Sequence, residues 1–189
     1  MNKFFKVVLG TTITLSSLMI SSQSFALEDF QSKRGLAVGD KIPLFDLEND
    51  MGQTIKFDEM YKGKVLLLTI ANYCNKDLAG VWTINSYYKF YKNKNFGFPF
   101  IFSRRCVPGY VPNFFVSQSA HSTSSQVRIP YFLMDWDEAI TKKFNGSKED
   151  PHVYVVDKTG VIRYKQVLST PFFSHDQIDK TISSLLEEK

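Results

Sequence analysis

The chain has 189 residues, with 23 Lys or Arg against 19 Asp or Glu and a formal net charge of +4 at pH 7. That length accommodates one domain with a proper core, and the near-balanced charge, with no basic stripe, argues against a nucleic-acid-binding surface. Aromatic residues make up 15% of the chain, with Phe and Tyr dominating, so the core is expected to be aromatic-rich.

Residues 1–26 read as a secretory signal peptide. Lys3 and Lys6 form a short positive segment, an apolar and small-residue stretch follows from Val7 to Ile20, and Ser24-Phe25-Ala26 supplies small residues for cleavage. The apolar run is too short, and too interrupted by Thr and Ser, for a spanning helix of about 20 apolar residues. The mature protein is therefore expected to be periplasmic or secreted, with no stable membrane insertion after cleavage. Taking 26 from 189 leaves 163 residues, and losing Lys3 and Lys6 leaves 21 basic residues against 19 acidic ones. Residues 27–38 are a polar leader, and 39–189 form one domain without repeat, linker or low-complexity tract.

Leu44–Lys56 reads as a hairpin, because Phe45 and Leu47, then Ile55 and Phe57, alternate with polar residues about the turn Asn49-Asp50-Met51-Gly52. The apolar run Val65–Ala71 suits a strand buried on both faces. Asn72-Tyr73-Cys74-Asn75 ends it, and a helix is expected over Asp77–Lys92, with Leu78, Trp82, Tyr88 and Tyr91 sharing much of one face. Phe98–Phe102 reads as a second strand, Ser103–Gly109 as a loop, Pro112–Ser119 as a short helix, and His121–Gln126, rich in Ser and Thr, as a surface loop. Tyr131–Met134 is a third strand and Asp137–Phe144 a short helix. Val153–Val156 and Val161–Gln166 form a second hairpin about Asp157-Lys158-Thr159-Gly160. The last helix is expected from Ser174, a plausible N-cap, to Glu187, with Ile178, Ile182 and Leu185 on one face. Strands alternating with helices point to α/β architecture.

Two cysteines, Cys74 and Cys106, are too few for a disulfide framework but enough for one bridge or one reactive pair, and export places them where a disulfide persists. There is no C-x-x-C and no zinc-ligand spacing, so no metal or other cofactor is implied. Cys74 follows a strand and precedes a helix. Sites in open α/β sheets lie beyond the carboxyl ends of strands, and the positive end of a helix favours a thiolate. Asp77 acts against this by like-charge repulsion, and Lys76 offsets part of it.

The segment "VGDKIPLFDLENDMGQTIKFDEMYKGKVLLLTIANYC" resembles the opening of the redoxin branch of the thioredoxin superfamily, and "ITKKFNGSKEDPHVYVVDKTGVIRYK" is similar to its second half. The resemblance spans about Gly39 to Leu186. It implies a thioredoxin-like α/β fold: a central mixed sheet flanked by helices, with an N-terminal β-hairpin extension. It places Cys74 at the family's reactive cysteine and Pro151 at the family's cis-proline facing it. The chain departs from the C-x-x-C pattern, since Asp77 stands three residues after Cys74, so the dithiol chemistry of that branch does not run through these positions. The supporting residues of glutathione-peroxidase-like and peroxiredoxin-like proteins are missing too. A copper-delivery role would need a cysteine where Leu78 stands.

In the thioredoxin-like order the strands ending near Ala71 and Phe102 are parallel neighbours. With strands about 4.8 Å apart and disulfide Cα separations of about 4.4–6.8 Å, a Cys74–Cys106 bridge is feasible if the Arg104–Gly109 loop folds back. The other reading leaves Cys106 facing solvent and Cys74 inert. A bridge would either cycle, with Cys74 attacking a disulfide or peroxide and Cys106 resolving the intermediate, or brace a loop of about 32 residues by roughly 3–4 kcal/mol. Arg104 and Arg105 read as solvated loop charges or as cations that lower a nearby thiol pKa. His152, beside Pro151, is the histidine expected nearest Cys74. The leading expectation is an exported thiol redox protein acting on a protein disulfide or a peroxide. The alternative is a catalytically degenerate binding module in the cell envelope.

Overall fold

The computed structural model describes residues 35–145, 150–168 and 175–188. The expected signal peptide, most of the leader and the Ser174 cap lie outside the described residues. Among those residues, eight strands build one sheet: β1 (Asp46–Asn49), β2 (Thr54–Lys56), β3 (Val65–Asn72), β4 (Phe96–Gly97), β5 (Phe100–Ser103), β6 (Leu133–Asp135), β7 (His152–Val156) and β8 (Ile162–Val167). Five helices accompany them: α1 (Phe57–Tyr61), α2 (Lys76–Phe90), α3 (Asn113–Gln126), α4 (Ala139–Asn145) and α5 (His175–Glu187).

The strand order is β2-β1-β6-β5-β3-β7-β8, with β4 also paired to β3. β3 runs parallel to β4 and β5, and β5 runs parallel to β6. β7 is antiparallel to both β3 and β8, and the N-terminal hairpin adds its antiparallel strands beyond β6. The sheet is therefore mixed, as expected. β3 is central, and all eight of its residues are buried, as its continuous apolar run demands.

Alternation along β3 splits the core. Val65, Leu67 and Ala71 face a cluster closed by residues of α2, α3 and α5, whereas Leu66, Leu68 and Ile70 face one closed by α1 and α4. Both clusters are aromatic-rich: Phe96, Phe98, Phe100, Phe102 and Phe132 lie in the first, and Phe57, Tyr61, Phe144 and Tyr154 in the second. The expected strand over Phe98–Phe102 is found as β5, Phe100–Ser103, and Phe98-Pro99 separate it from β4. Pro99 has no N–H for a ladder, yet its carbonyl accepts the Thr69 N–H at 3.0 Å, so the chain stays beside β3 through the break. At Gly97 an added Cβ would stand 2.8 Å from both Leu66 Cδ2 and Tyr61 Cδ1, so any side chain at this rung forces those neighbours to shift.

Two helical expectations need correction. Residues 121–126 are helical, and α3 runs to Gln126. Its hydroxyls bond within the helix or to the core: Thr123 Oγ1 donates to the Ser119 carbonyl at 3.0 Å, and buried Ser124 donates to Asp50 Oδ2 at 2.7 Å. Of the expected inward face of α2, Tyr88 and Tyr91 are misplaced, and the side chains of Leu78 and Trp82 lie outside the described residues. Tyr88 and Tyr91 are exposed, and the face carries Ala79, Thr83 and Ser86 instead. Ser86 donates to Asp179 of α5 at 2.7 Å, and Lys89 reaches the same carboxylate at 2.9 Å. Tyr87 and Phe90 also pack against the core, so the inward face mixes small, hydroxyl and aromatic residues and makes a poor apolar stripe. Within the described residues, no helix is long and apolar enough to cross a membrane.

Candidate active site at the ends of β3 and β5

Strand β3 stops at Asn72 because the next four residues fold back on their own side chains. Asn72 Oδ1 accepts the Cys74 N–H at 2.9 Å and the Asn75 N–H at 3.2 Å. In return Asn75 Oδ1 accepts the Asn72 N–H at 2.8 Å, and the Asn75 carbonyl accepts from Ala79 at 3.1 Å. This paired Asx turn replaces ladder hydrogen bonds and leads straight into α2. Asn72 is buried, whereas Tyr73 and Cys74 are exposed, so the turn delivers the sulfur to the surface. The Asp77 carboxylate is paired with Lys76 at 2.9 Å, and Lys76 Nζ also lies 5.4 Å from the centre of the Tyr73 ring.

The partner strand ends at Ser103, and the segment from Arg104 to Pro112 carries Cys106 back toward β3. Cys74 and Cys106 form a disulfide with a Cα separation of 5.9 Å across 32 residues of sequence. The sequence argument from parallel neighbouring strands thus reaches the right pair, and the loop does fold back. Both cysteines are exposed, so the bridge lies at the surface. Cys106 has φ +72°, a left-handed backbone that side-chain-bearing residues seldom adopt.

Arg104 is not a solvated loop charge. Its Nη2 lies 2.6 Å from the Val111 carbonyl and 3.3 Å from those of Pro108 and Gly109, and its Nη1 donates to Asn113 Oδ1 at the start of α3. Backbone turns from Val107 to Arg104 and from Val111 to Pro108, each 3.0 Å, lie within this span. Tyr110, Phe114 and Phe115 stand exposed on the same loop and helix start, with the Phe114 and Phe115 rings 5.6 Å apart.

Pro151 is buried, and its carbonyl accepts the Leu168 N–H at 2.8 Å. The last rung between β3 and β7 pairs Ile70 with His152. Pro151 therefore enters the sheet beside Ala71, at the end of β3 that leads to Cys74. His152 is fully buried, stacks on Tyr154 with ring centres 6.0 Å apart, and holds the Asp150 carbonyl at 2.7 Å through Nδ1. Such a ring does not serve an exposed sulfur as a base. Among the described residues, no group of three or more His, Cys, Asp or Glu is placed to hold a metal ion.

Sequence reasoning missed Asn72 and Asn75 as site-building residues, and it weighed Arg104 only as a solvated charge or as a cation beside a thiol. The asparagines carried a signal, since Asn at a strand end with a second Asn three residues on is Asx-turn chemistry. Nothing in the sequence marks the bonds of Arg104, because its acceptors are mainly backbone carbonyls.

The redoxin family model matches residues 37–181. Among curated proteins, none matches the chain. A candidate protein disulfide isomerase from Bacteroides thetaiotaomicron superposes with a TM-score of 0.63 at 16% identity, over 81% of this chain and 92% of its own. A thioredoxin-family thiol:disulfide interchange protein from Chlorobium tepidum gives 0.58 at 16% identity, over 80% and 99%. The pneumococcal exposed lipoprotein thioredoxin of Streptococcus pneumoniae strain TIGR4 gives 0.55 at 18% identity, over 76% and 100%. At these identities the structural likeness establishes the thioredoxin-like fold alone.

Proposed function

The chain belongs to the redoxin family, and from that premise we propose that it is an exported thiol–disulfide exchange protein whose redox centre is the Cys74–Cys106 pair. The observation that carries this reading is an exposed disulfide joining the ends of two adjacent parallel strands. A bridge meant only to brace the fold gains nothing from exposure. A bridge that exchanges needs a line of approach for an incoming sulfur. The N-terminal segment with Lys3, Lys6 and the Ser24-Phe25-Ala26 cleavage pattern supports export, into a compartment where disulfides form and persist.

In the reduced state Cys74, just before α2, acts as the attacking thiolate. It displaces one sulfur of a partner disulfide and forms a mixed disulfide, and the partner's other sulfur leaves as a thiolate. Deprotonated Cys106 then attacks the Cys74 sulfur of that mixed disulfide. The internal bridge re-forms and the second partner sulfur leaves. Two electrons pass from the pair to the partner, and the partner thiolates take up two protons from the medium. The same steps in reverse oxidise a partner dithiol. Cys106 thus does the work that C-x-x-C enzymes assign to a cysteine three residues on, where this chain has Asp77. Pro151, entering beside Ala71, forms the wall against which the partner lies. The exposed rings of Tyr73, Tyr110, Phe114 and Phe115 favour a polypeptide partner over a bare peroxide.

The test is insulin reduction and peroxide consumption by wild type, Cys74→Ser and Cys106→Ser. Wild type is expected to reduce insulin catalytically, Cys74→Ser to lose this, and Cys106→Ser to trap a mixed disulfide. Peroxide consumption without insulin reduction would replace the partner class. Full activity in Cys74→Ser, or none in wild type, would end the proposal.

A further inference from the structure

Resting on the reading that the pair cycles between disulfide and dithiol, we propose that Arg104 is the positioning residue of this redox centre: its guanidinium closes the Cys106 loop into a ring that survives reduction, and so sets how readily the disulfide opens. A resolving cysteine on a surface loop, three residues beyond the last paired residue of its strand, faces an entropic difficulty. Once the S–S bond is broken, a slack loop wanders and the two thiols rarely meet. Cys106 also sits at φ +72°, a conformation that a slack loop does not hold.

Arg104 answers both difficulties without contacting a substrate. It leaves the end of β5, reaches the carbonyls of Pro108, Gly109 and Val111, and anchors on Asn113 Oδ1 where α3 begins. The ring is therefore fastened to a strand at one end and to a helix at the other, with Cys106 inside it. None of these bonds involves sulfur, so none is lost on reduction. A planar fork with five donors suits several acceptors spread along a loop, and a lysine ammonium does not reproduce that geometry. By holding Cys106 over the end of β3 in the dithiol, the ring raises its effective concentration at Cys74 and favours the closed disulfide.

Charge acting alone predicts the opposite sign. A cation beside a thiolate stabilises the reduced pair, so removing it would strengthen the disulfide. The experiment equilibrates full-length wild type, Arg104→Lys, Arg104→Gln and Asn113→Ala with mixtures of reduced and oxidised glutathione. Two glutathione thiols give up two electrons, the protein bridge becomes two thiols, and one glutathione disulfide forms. The oxidised fraction is read by alkylation and mass, and urea unfolding of each dithiol form confirms that it is folded. Both Arg104 variants are expected to disfavour the bridge about tenfold, a rise of about 30 mV in potential, and to close more slowly after mixing with oxidised glutathione. Asn113→Ala is expected to shift the same way by less. Wild-type behaviour in Arg104→Lys, or a bridge strengthened in Arg104→Gln, overturns the ring. Exchange in wild type with both Arg104 variants unchanged overturns it while leaving the redox centre standing. A wild type that does not exchange with glutathione at all removes the redox centre and the ring together.

Discussion

Asn72 and Ser103 form the final rung of the parallel ladder between β3 and β5. Each is buried, and each is the last residue before its strand turns outward. Cys74 follows one by two positions and Cys106 follows the other by three. The placement of the disulfide thus depends on the register of one parallel pair, since a slip by one residue would send Asn72 to the other face of the sheet and dismantle the turn that presents Cys74.

The first expectation concerns the bridge itself. In the chain-entropy view, closing a span of 32 residues restricts the unfolded chain by about 3–4 kcal/mol. Both cysteines lie at the surface, so replacing either leaves no cavity. Cys106→Ser is therefore expected to unfold in urea at the same midpoint as reduced wild type, with both about 3–4 kcal/mol below oxidised wild type. A variant far weaker than reduced wild type would reveal a second role for Cys106.

The second concerns the turn. Asn72→Ala removes an oxygen that accepts two backbone N–H groups, from Cys74 and Asn75, and is expected to cost about 2 kcal/mol. Asn72→Asp keeps the acceptor and is expected to recover most of that loss. Urea unfolding measures the stability, and the rate at which a small thiol reduces the bridge reports whether Cys74 has moved. Equal stability of the Ala and Asp variants would show that this oxygen does not hold the turn.

Much of this architecture was legible before any coordinates, and the reason is visible residue by residue. Val65–Ala71 suited a strand buried on both faces because turn signals bound its apolar run, and the two hairpins carried their own turn residues. Placing Cys74 and Cys106 on one edge rested on the strand order that the family resemblance implied, and their bridge on the Arg104–Gly109 loop folding back. What escaped was held by hydrogen bonds rather than by apolar pattern. Ser124 reads as a loop residue until Asp50 is seen to accept from it at 2.7 Å. The seat of α2 was hidden because Thr83 and Ser86 point inward. Arg104 escaped because most of its partners are carbonyls, which every residue has.

The third expectation tests the close contact beneath β4. A methyl group at residue 97 meets Leu66 and Tyr61 at 2.8 Å, and both side chains are buried in the core. Gly97→Ala is expected to destabilise by about 1–3 kcal/mol, although alanine restricts the unfolded chain and would otherwise stabilise by about 0.4–1 kcal/mol. Denaturant unfolding decides the sign. Pairing it with Leu66→Ala should recover part of the loss if the clash is the cause, since the added methyl would then partly fill the space vacated.

The fourth concerns pH, through the turn between β7 and β8. Burial alone would push the Asp157 carboxyl up. The hydrogen bonds it accepts outweigh burial and hold it below the ordinary carboxylate value: Thr159 Oγ1 at 2.7 Å, Val161 N–H at 3.0 Å, Arg163 Nε at 2.6 Å and Thr159 N–H at 2.8 Å. A carboxyl held lower in the folded than in the unfolded protein stabilises fully above its unfolded value, near 3.9, and loses that contribution as pH falls through the folded value. Asp157→Asn presents an amide in place of one carboxylate oxygen and is expected to cost about 2 kcal/mol at pH 7. The gap between wild type and variant should narrow between pH 5 and the lowest pH at which both remain folded, because only wild type has this contribution to lose. Urea midpoints at a series of pH values give the answer. A gap that stays constant down to that limit would mean that the carboxylate charge contributes nothing, and that the turn is held by the shape of the side chain alone.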